Sequence, residues 1–277
     1  RHFLMATIKV DTGTEELLCE IQDRVATITL NRPKVRNALG DNITPALRTT
    51  IQEMALDDTV GSIVLTGSGK AFCAGGDVKS MGQRNPPPDQ TIDQKINILK
   101  ERQRTLTGSL RQVHKPTIAS LPGPAAGAGL AIALACDIRI AAKSSFVSTG
   151  YSRVGLSGDY GIAWLLTRLV GTSKARELMF TADRVTADEC SRIGLVNRVT
   201  TDSELQAETF KLAHKLANGP TIALRHIKDN LEDALTENFL SALDNEAERL
   251  VQTAQTKDHK EAVRAFIEKR APVFKGE

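Results

Sequence analysis

The sequence predicts an α/β fold. Short apolar runs of strand length alternate with helical stretches, glycine and proline separate them, and the last third turns wholly helical. Residues 17–21 and 25–30 read as two strands, with Gln22-Asp23-Arg24 as the hairpin turn between them. Asn31-Arg32-Pro33 ends the second strand, and a helix is expected over residues 41–56. The apolar run at 62–66 has the character of a buried strand and is closed by Gly67-Ser68-Gly69. It leads into a glycine-bearing loop, Phe72-Cys73-Ala74-Gly75-Gly76-Asp77.

Residues 82–91 carry three consecutive prolines, which rules out a regular helix or central strand and predicts a surface loop. A polar helix follows over 93–113. Pro116 introduces a strand at 117–121, and Pro122-Gly123-Pro124 breaks it. Small residues then fill 125–136, ahead of another strand at 137–142. Strand–helix alternation of this kind implies βα crossovers, and no short-period repeat suggests a solenoid. We divide the chain into a core, 1–201, and a helical region, 202–277, in which Asp258-x-x-Glu261 reads as a capping box for the final helix.

Composition narrows the function classes. A length of 277 residues suits one large domain or a domain with an appendage, and 36 basic against 33 acidic residues leave a charge of +3. No dense Lys/Arg block interleaved with aromatics points to nucleic acid, although a weakly basic surface favours a phosphate-bearing ligand. The four cysteines are scattered without a CxxC pair or Cys/His cluster, so neither a metal site nor a disulfide framework is expected. Cys73 is read as a small buried side chain. No apolar run approaches the ~20 residues that span a bilayer, and Arg1-His2-Phe3-Leu4-Met5 is too short for a secretory signal. The expected location is the cytoplasm, or the mitochondrial matrix if a transit peptide was removed.

Three places could carry chemistry. Gly75-Gly76-Asp77 follows a buried strand: two glycines allow positive φ and close approach of a ligand to the backbone, while Asp77 suits a helix cap. By itself it describes a tight turn as readily as a binding loop. Gly127-Ala128-Gly129 opens a helix of Ala, Leu and Ile, whose free N–H groups and dipole favour an anionic oxygen. Close helix packing explains the same composition. Together, two backbone donors from different loops can hold one oxygen as charge develops on it, and for a thioester that charge means an enolate. The third place is Asp159, within Gly155-Leu156-Ser157-Gly158-Asp159-Tyr160-Gly161, which reads either as the N-cap of the helix that follows or as a base. The five histidines suggest no Ser-His-Asp trio.

These segments, in order, resemble the enoyl-CoA hydratase/isomerase (crotonase) superfamily. The resemblance rests on Val25-Ala26-Thr27-Ile28-Thr29-Leu30-Asn31-Arg32-Pro33 with Asn37-Ala38-Leu39, on the 72–77 loop, and on Lys115-Pro116-Thr117-Ile118-Ala119 through Gly127-Ala128-Gly129 to Cys136-Asp137. Gly194-Leu195-Val196 and Phe266-Ile267-Glu268-Lys269-Arg270 complete it, from about residue 17 to the end. It implies a crotonase-like spiral of ββα units with a helical C-terminal trimerisation region, hence a homotrimer or hexamer. It carries the oxyanion donors to Gly76 and Ala128 and a CoA site to Arg36, Ala38, Ala74, Gly75 and Asp77. Tyr151 is assigned to the acyl pocket. The implied partner is an acyl-CoA thioester, with coenzyme A entering as part of the substrate, no other cofactor and no metal.

One departure decides the expected chemistry. Hydratases of this family carry two glutamates; the corresponding positions here are Ala131 and Gly150-Tyr151, and none is a carboxylate. Asp159 resembles the proton-shuttling aspartate of the isomerase-like branch, including enzymes of phenylacetate breakdown. The expected activity is therefore double-bond isomerisation. The alternatives are water addition to a 2-enoyl-CoA and a silent acyl-CoA binder. A dinucleotide oxidoreductase is weaker, because Gly127-x-Gly129 lacks the full GxGxxG spacing.

Overall fold

Asp23 and Arg24 both adopt left-handed φ, 48° and 67°, the backbone that matches a two-residue turn to the twist of its strands. They close the hairpin of β2 (Leu17–Gln22) and β3 (Val25–Leu30), with Leu17 opposite Leu30 and Gln22 opposite Val25. A short strand that the sequence pattern did not reveal, β1 (Ile8–Val10), pairs antiparallel with β2. The computed structural model describes residues 6–76 and 90–277.

From β3 onward the main sheet is parallel. β4 (Ser62–Gly67), β5 (Thr117–Leu121), β7 (Ile138–Ala142) and β10 (Arg198–Thr200) follow one another, giving the seven-stranded order β1-β2-β3-β4-β5-β7-β10. A smaller sheet contains β6 (Ala125–Ala126), β8 (Phe146–Ser148) and β9 (Val185–Thr186) in the order β6-β8-β9. Side chains alternate across the main sheet, as the period of two requires. Ala26, Ile28, Ile63, Leu65, Ala119 and Leu121 enter the larger core. Their neighbours Val25, Val64, Ile118 and Ile140 enter a second core on the opposite face.

The larger core is covered by α1 (Ile43–Leu56), α4 (Ala128–Ala135) and α5 (Ile162–Thr181). The second core is covered by α7 (Leu205–Ala217), through Leu205, Ala213 and Ala217. The polar helix expected over 93–113 is divided. α2 (Ile92–Gln103), capped by a Thr91–Gln94 box, runs into a widened π turn over Arg104–Gly108 and then α3 (Ser109–Gln112). Within that turn the Thr105 and Thr107 hydroxyls donate back to the carbonyls of Glu101 and Gln103, a competition that loosens helical geometry.

α6 (Ala187–Arg192) links the smaller sheet to β10. Beyond α7 come α8 (Thr221–Thr236), α9 (Phe239–Ala254) and α10 (Lys257–Ile267). α8 and α9 bury no residue fully. Leu231, Phe239, Leu250 and Phe266 are exposed by 64, 77, 72 and 86%, so the apolar stripes of these helices are left uncovered within one chain.

The capping box expected at Asp258 and Glu261 is not what forms. Thr256 caps α10 by accepting from the His259 N–H at 3.1 Å. Asp258, already inside the helix and buried, instead accepts from the backbone N–H groups of Lys275 and Gly276 at 2.8 and 2.9 Å. Glu261 pairs with Arg270 and with the Val273 N–H. A sequence spacing that suits a cap here serves to fasten the chain's last residues. Asp258→Ala removes a buried charged acceptor from two amides, a loss of about 2–3 kcal/mol locally. Hydrogen exchange should accelerate by at least roughly tenfold over residues 272–277, while the cores keep their protection.

Candidate active site

The chain from Phe72 to Gly76 lies between two other segments and is held to both by backbone hydrogen bonds. On one side the Ala74 N–H donates to the Arg36 carbonyl at 3.0 Å, and the Leu39 N–H donates to the Gly75 carbonyl at 2.8 Å. On the other, Phe72 N–H donates to Pro124 O and Ala126 N–H to Cys73 O, at 3.0 and 2.9 Å. The turn supplying the first side is itself fastened by Asn37. Its fully buried side chain donates to the carbonyls of Ser68 and Ala71, at 3.0 and 2.8 Å, and accepts from the Arg32 N–H at 2.8 Å. Arg36 and Asn37 take left-handed φ to make that turn.

Gly75 is where these constraints meet. Its φ is +89°, and a Cβ there would stand 2.7 Å from the Ala126 carbonyl oxygen and 3.4 Å from the Ala128 nitrogen. The start of α4 is thus in direct contact with the 72–76 segment. Gly129 repeats the constraint one residue into the helix: its Cβ would fall 2.4 Å from the Cys73 carbonyl oxygen. The Cys73 thiol packed there is buried, and burial pushes its pKa up to about 12, so it is a space-filling group and not a nucleophile.

Among the described residues, neither the Gly76 nor the Ala128 N–H has a protein acceptor. The Ala128 N–H belongs to the first residue of α4, a helix whose eight residues are all buried. Two free donors therefore stand on adjacent segments, one of them at the positive end of a helix in apolar surroundings, an arrangement suited to a developing oxyanion.

The third element reaches the same place through β8. The Gly127 N–H donates to the Ser148 carbonyl at 3.1 Å, and a Cβ on Gly150 would lie 3.9 Å from the Gly127 nitrogen. Tyr151 comes next and is buried. Its hydroxyl donates to Asp159 Oδ1 at 2.6 Å. Three residues around Asp159 have positive φ: Gly158 at 118°, Tyr160 at 52° and Gly161 at 82°. The Tyr160 N–H is held by the Gln103 side chain at 2.9 Å.

The cap of α5 is Gly161, without a side-chain capping bond, so Asp159 does not serve as the N-cap that its sequence position suggests. Only its backbone carbonyl takes part, accepting from Ile162 N–H at 3.1 Å. The carboxyl is half-buried, and that desolvation raises its pKa above the ordinary carboxylate range; the Tyr151 hydrogen bond pulls it partly back. Tyr151 is in turn pushed well above its usual value, first by burial and then by the neighbouring carboxylate, and stays a donor across the physiological range.

The family model described as enoyl-CoA hydratase/isomerase matches residues 20–277. The chain belongs to that family. It is 34% identical over 266 residues to the 1,2-epoxyphenylacetyl-CoA isomerase of Escherichia coli K12, covering 95% of this chain and 99% of that protein. It is 36% identical over 256 residues to the short-chain-enoyl-CoA hydratase of Clostridium acetobutylicum, covering 92% and 95%. Solved enoyl-CoA hydratases share its fold. That of Polaromonas sp. JS666 has a TM-score of 0.86 at 31% identity, covering 94% of this chain and 99% of its own. That of Bacillus anthracis has 0.87 at 30%, covering 95% and 100%.

As an enoyl-CoA hydratase/isomerase family member, the chain brings Ala38, Ala74, Gly75, Gly76 and Ala128 into one neighbourhood, with Arg36 exposed at its edge. Asp159 is hydrogen-bonded to Tyr151, the residue after Gly150, which lies against Gly127. Asp77 and residues 82–89 lie outside the described residues. Ala131 is fully buried in α4 and presents only a methyl. Among the described residues, no group of three or more His, Cys, Asp or Glu could hold a metal ion, and no helix is long and apolar enough to cross a membrane.

Sequence reasoning missed the Asn37 clamp, the Gln103 contact to Tyr160 and the pairing of Tyr151 with Asp159. The first had a signal in the Asn37-Ala38-Leu39 motif. The other two join residues 57 and 8 positions apart through a π turn and an irregular loop, where no periodicity operates. Gly75→Ala adds a methyl at a left-handed position against a carbonyl. Urea denaturation should show a loss of about 1–3 kcal/mol, and acyl-CoA turnover should fall by roughly 100-fold as the two donors are forced apart.

Proposed function

We propose that this family member isomerises the double bond of an enoyl-CoA thioester, with the Gly76 and Ala128 N–H groups as the oxyanion hole and Asp159 as the proton shuttle. The observation that carries this reading is the pairing of one half-buried carboxylate, Asp159, with a buried methyl at Ala131. Hydratases of the family use a carboxylate at the latter position to orient water. The thioester oxygen accepts from both donors, each worth about 3–4 kcal/mol when water is excluded. Asp159 takes a proton from C2, the C2–H electrons pass into the enolate, and the carboxyl returns a proton to C4 as the double bond moves to C2–C3. A carboxyl whose proton affinity is raised by burial suits both halves of that transfer.

The segments at Arg36, Ala38, Ala74, Gly75 and Asp77 flank the coenzyme A moiety in this reading, and no cofactor beyond the substrate's own coenzyme A takes part. Water addition, the reaction named for the clostridial relative, shares the enolate but lacks a second carboxylate here. The exposed stripes on α8, α9 and α10 support assembly into a trimer or hexamer. Sedimentation should give three or six chains, and Leu250→Glu with Phe266→Glu should shift the mass toward the monomer.

A panel of 2- and 3-enoyl-CoA thioesters in heavy water tests the chemistry. Deuterium should enter the acyl chain with a shifted double bond, and Asp159→Asn should lower kcat by at least about 100-fold. Hydroxyacyl-CoA formed undiminished by Asp159→Asn overturns the reading.

A further inference from the structure

Asp159 has two carboxylate oxygens, and the protein treats them differently. Oδ1 accepts the Tyr151 hydroxyl at 2.6 Å, whereas Oδ2 has no protein donor among the described residues. The donor is itself rigidly mounted. Tyr151 is 7% exposed, and its carbonyl accepts the N–H groups of Val154 and Leu156, both at 3.0 Å. It follows directly on Gly150, which lies against Gly127 at the start of α4. Tyr151 therefore links Asp159 to the segment that lies against the start of α4, the helix bearing one free N–H donor.

We infer that Tyr151 is a positioning residue: by holding Oδ1 of Asp159 it fixes the carboxyl plane and reserves Oδ2 for transfer of the substrate proton. This rests on the isomerase reading above and deepens it. A carboxylate on a loop with three positive-φ residues has freedom about its χ angles that a catalytic base has to lose, and one short hydrogen bond from a buried phenol removes it. The hydroxyl keeps its proton throughout, so it orients and does not exchange with the substrate. The same bond favours the ionised carboxylate, opposing the burial that raises its proton affinity. The titratable groups facing this pair are few. Tyr160 is adjacent in the chain, while Arg48 of α1 and Arg102 of α2 act on Tyr160 and not on Asp159.

The test is the pH profile of kcat/KM on 3-hexenoyl-CoA with the full chain, comparing wild type, Tyr151→Phe and a protein carrying 3-fluorotyrosine at 151. Without the phenol, Asp159 ionises at higher pH, so the acid limb of Tyr151→Phe should move up by about one unit. Its kcat should fall about tenfold with KM changed less than about twofold. The fluorinated phenol is a stronger donor and should move the limb down, a direction that mere loss of packing cannot produce. If Tyr151→Phe does not fold, the fluorotyrosine protein decides alone. An unmoved acid limb, with turnover still abolished by Asp159→Asn, overturns the role of Tyr151 and leaves the isomerase reading standing. Turnover that survives Asp159→Asn removes both.

Discussion

The site depends on how closely two backbone segments approach at Gly75. The carbonyl of Ala126 and the nitrogen of Ala128 occupy space that any side chain at Gly75 would take. Backbone hydrogen bonds from Arg36, Leu39, Pro124 and Ala126 keep the 72–76 segment from withdrawing. Backbone donors, unlike side chains, lose no rotamer entropy when they bind, so their placement is already accomplished on folding. The buried Asn37 amide extends that rigidity to the turn on the far side. Much of the chain's first 130 residues therefore converges on the position of two N–H groups.

Around Asp159, burial and hydrogen bonding act in opposite directions. Burial raises its proton affinity and the Tyr151 hydroxyl lowers it. A carboxyl between these two influences can both accept and release a proton, while the methyl of Ala131 leaves no second acid on the neighbouring helix. The loop that carries Asp159 pays for its irregular path with three positive-φ residues, including the bulky Tyr160, a conformation that the Gln103 side chain helps to hold.

The C-terminal helices divide by what they touch. α7 completes the second core against Val25, Val64, Ile118 and Ile140, so it is as much a part of the sheet layer as the helices before it. α8 and α9 bury nothing fully and turn Leu231, Phe239 and Leu250 outward. Amphipathic helices whose apolar stripes remain in water are at odds with the free energy of exposing that surface, and no residue of the single chain covers these fully.

By itself the sequence determined the α/β class, the strands at 17–21, 25–30, 62–66, 117–121 and 137–142 to within one residue at their ends, and the two glycine motifs. These are set by short-range periodicity and by backbone conformations that only certain residues adopt. It also marked Asp159 without distinguishing a base from a cap. Tertiary structure removed the cap: the carboxylate faces Tyr151 and leaves the helix start to Gly161. It likewise turned the expected capping pair Asp258–Glu261 into a fastening for the chain end and broke the polar helix at a π turn. For Asp159 and for Asp258 the outcome depends on which group, not adjacent in the local pattern, arrives within hydrogen-bond reach of the carboxylate. No local pattern encodes that arrival, because the two partners share neither a period nor a turn.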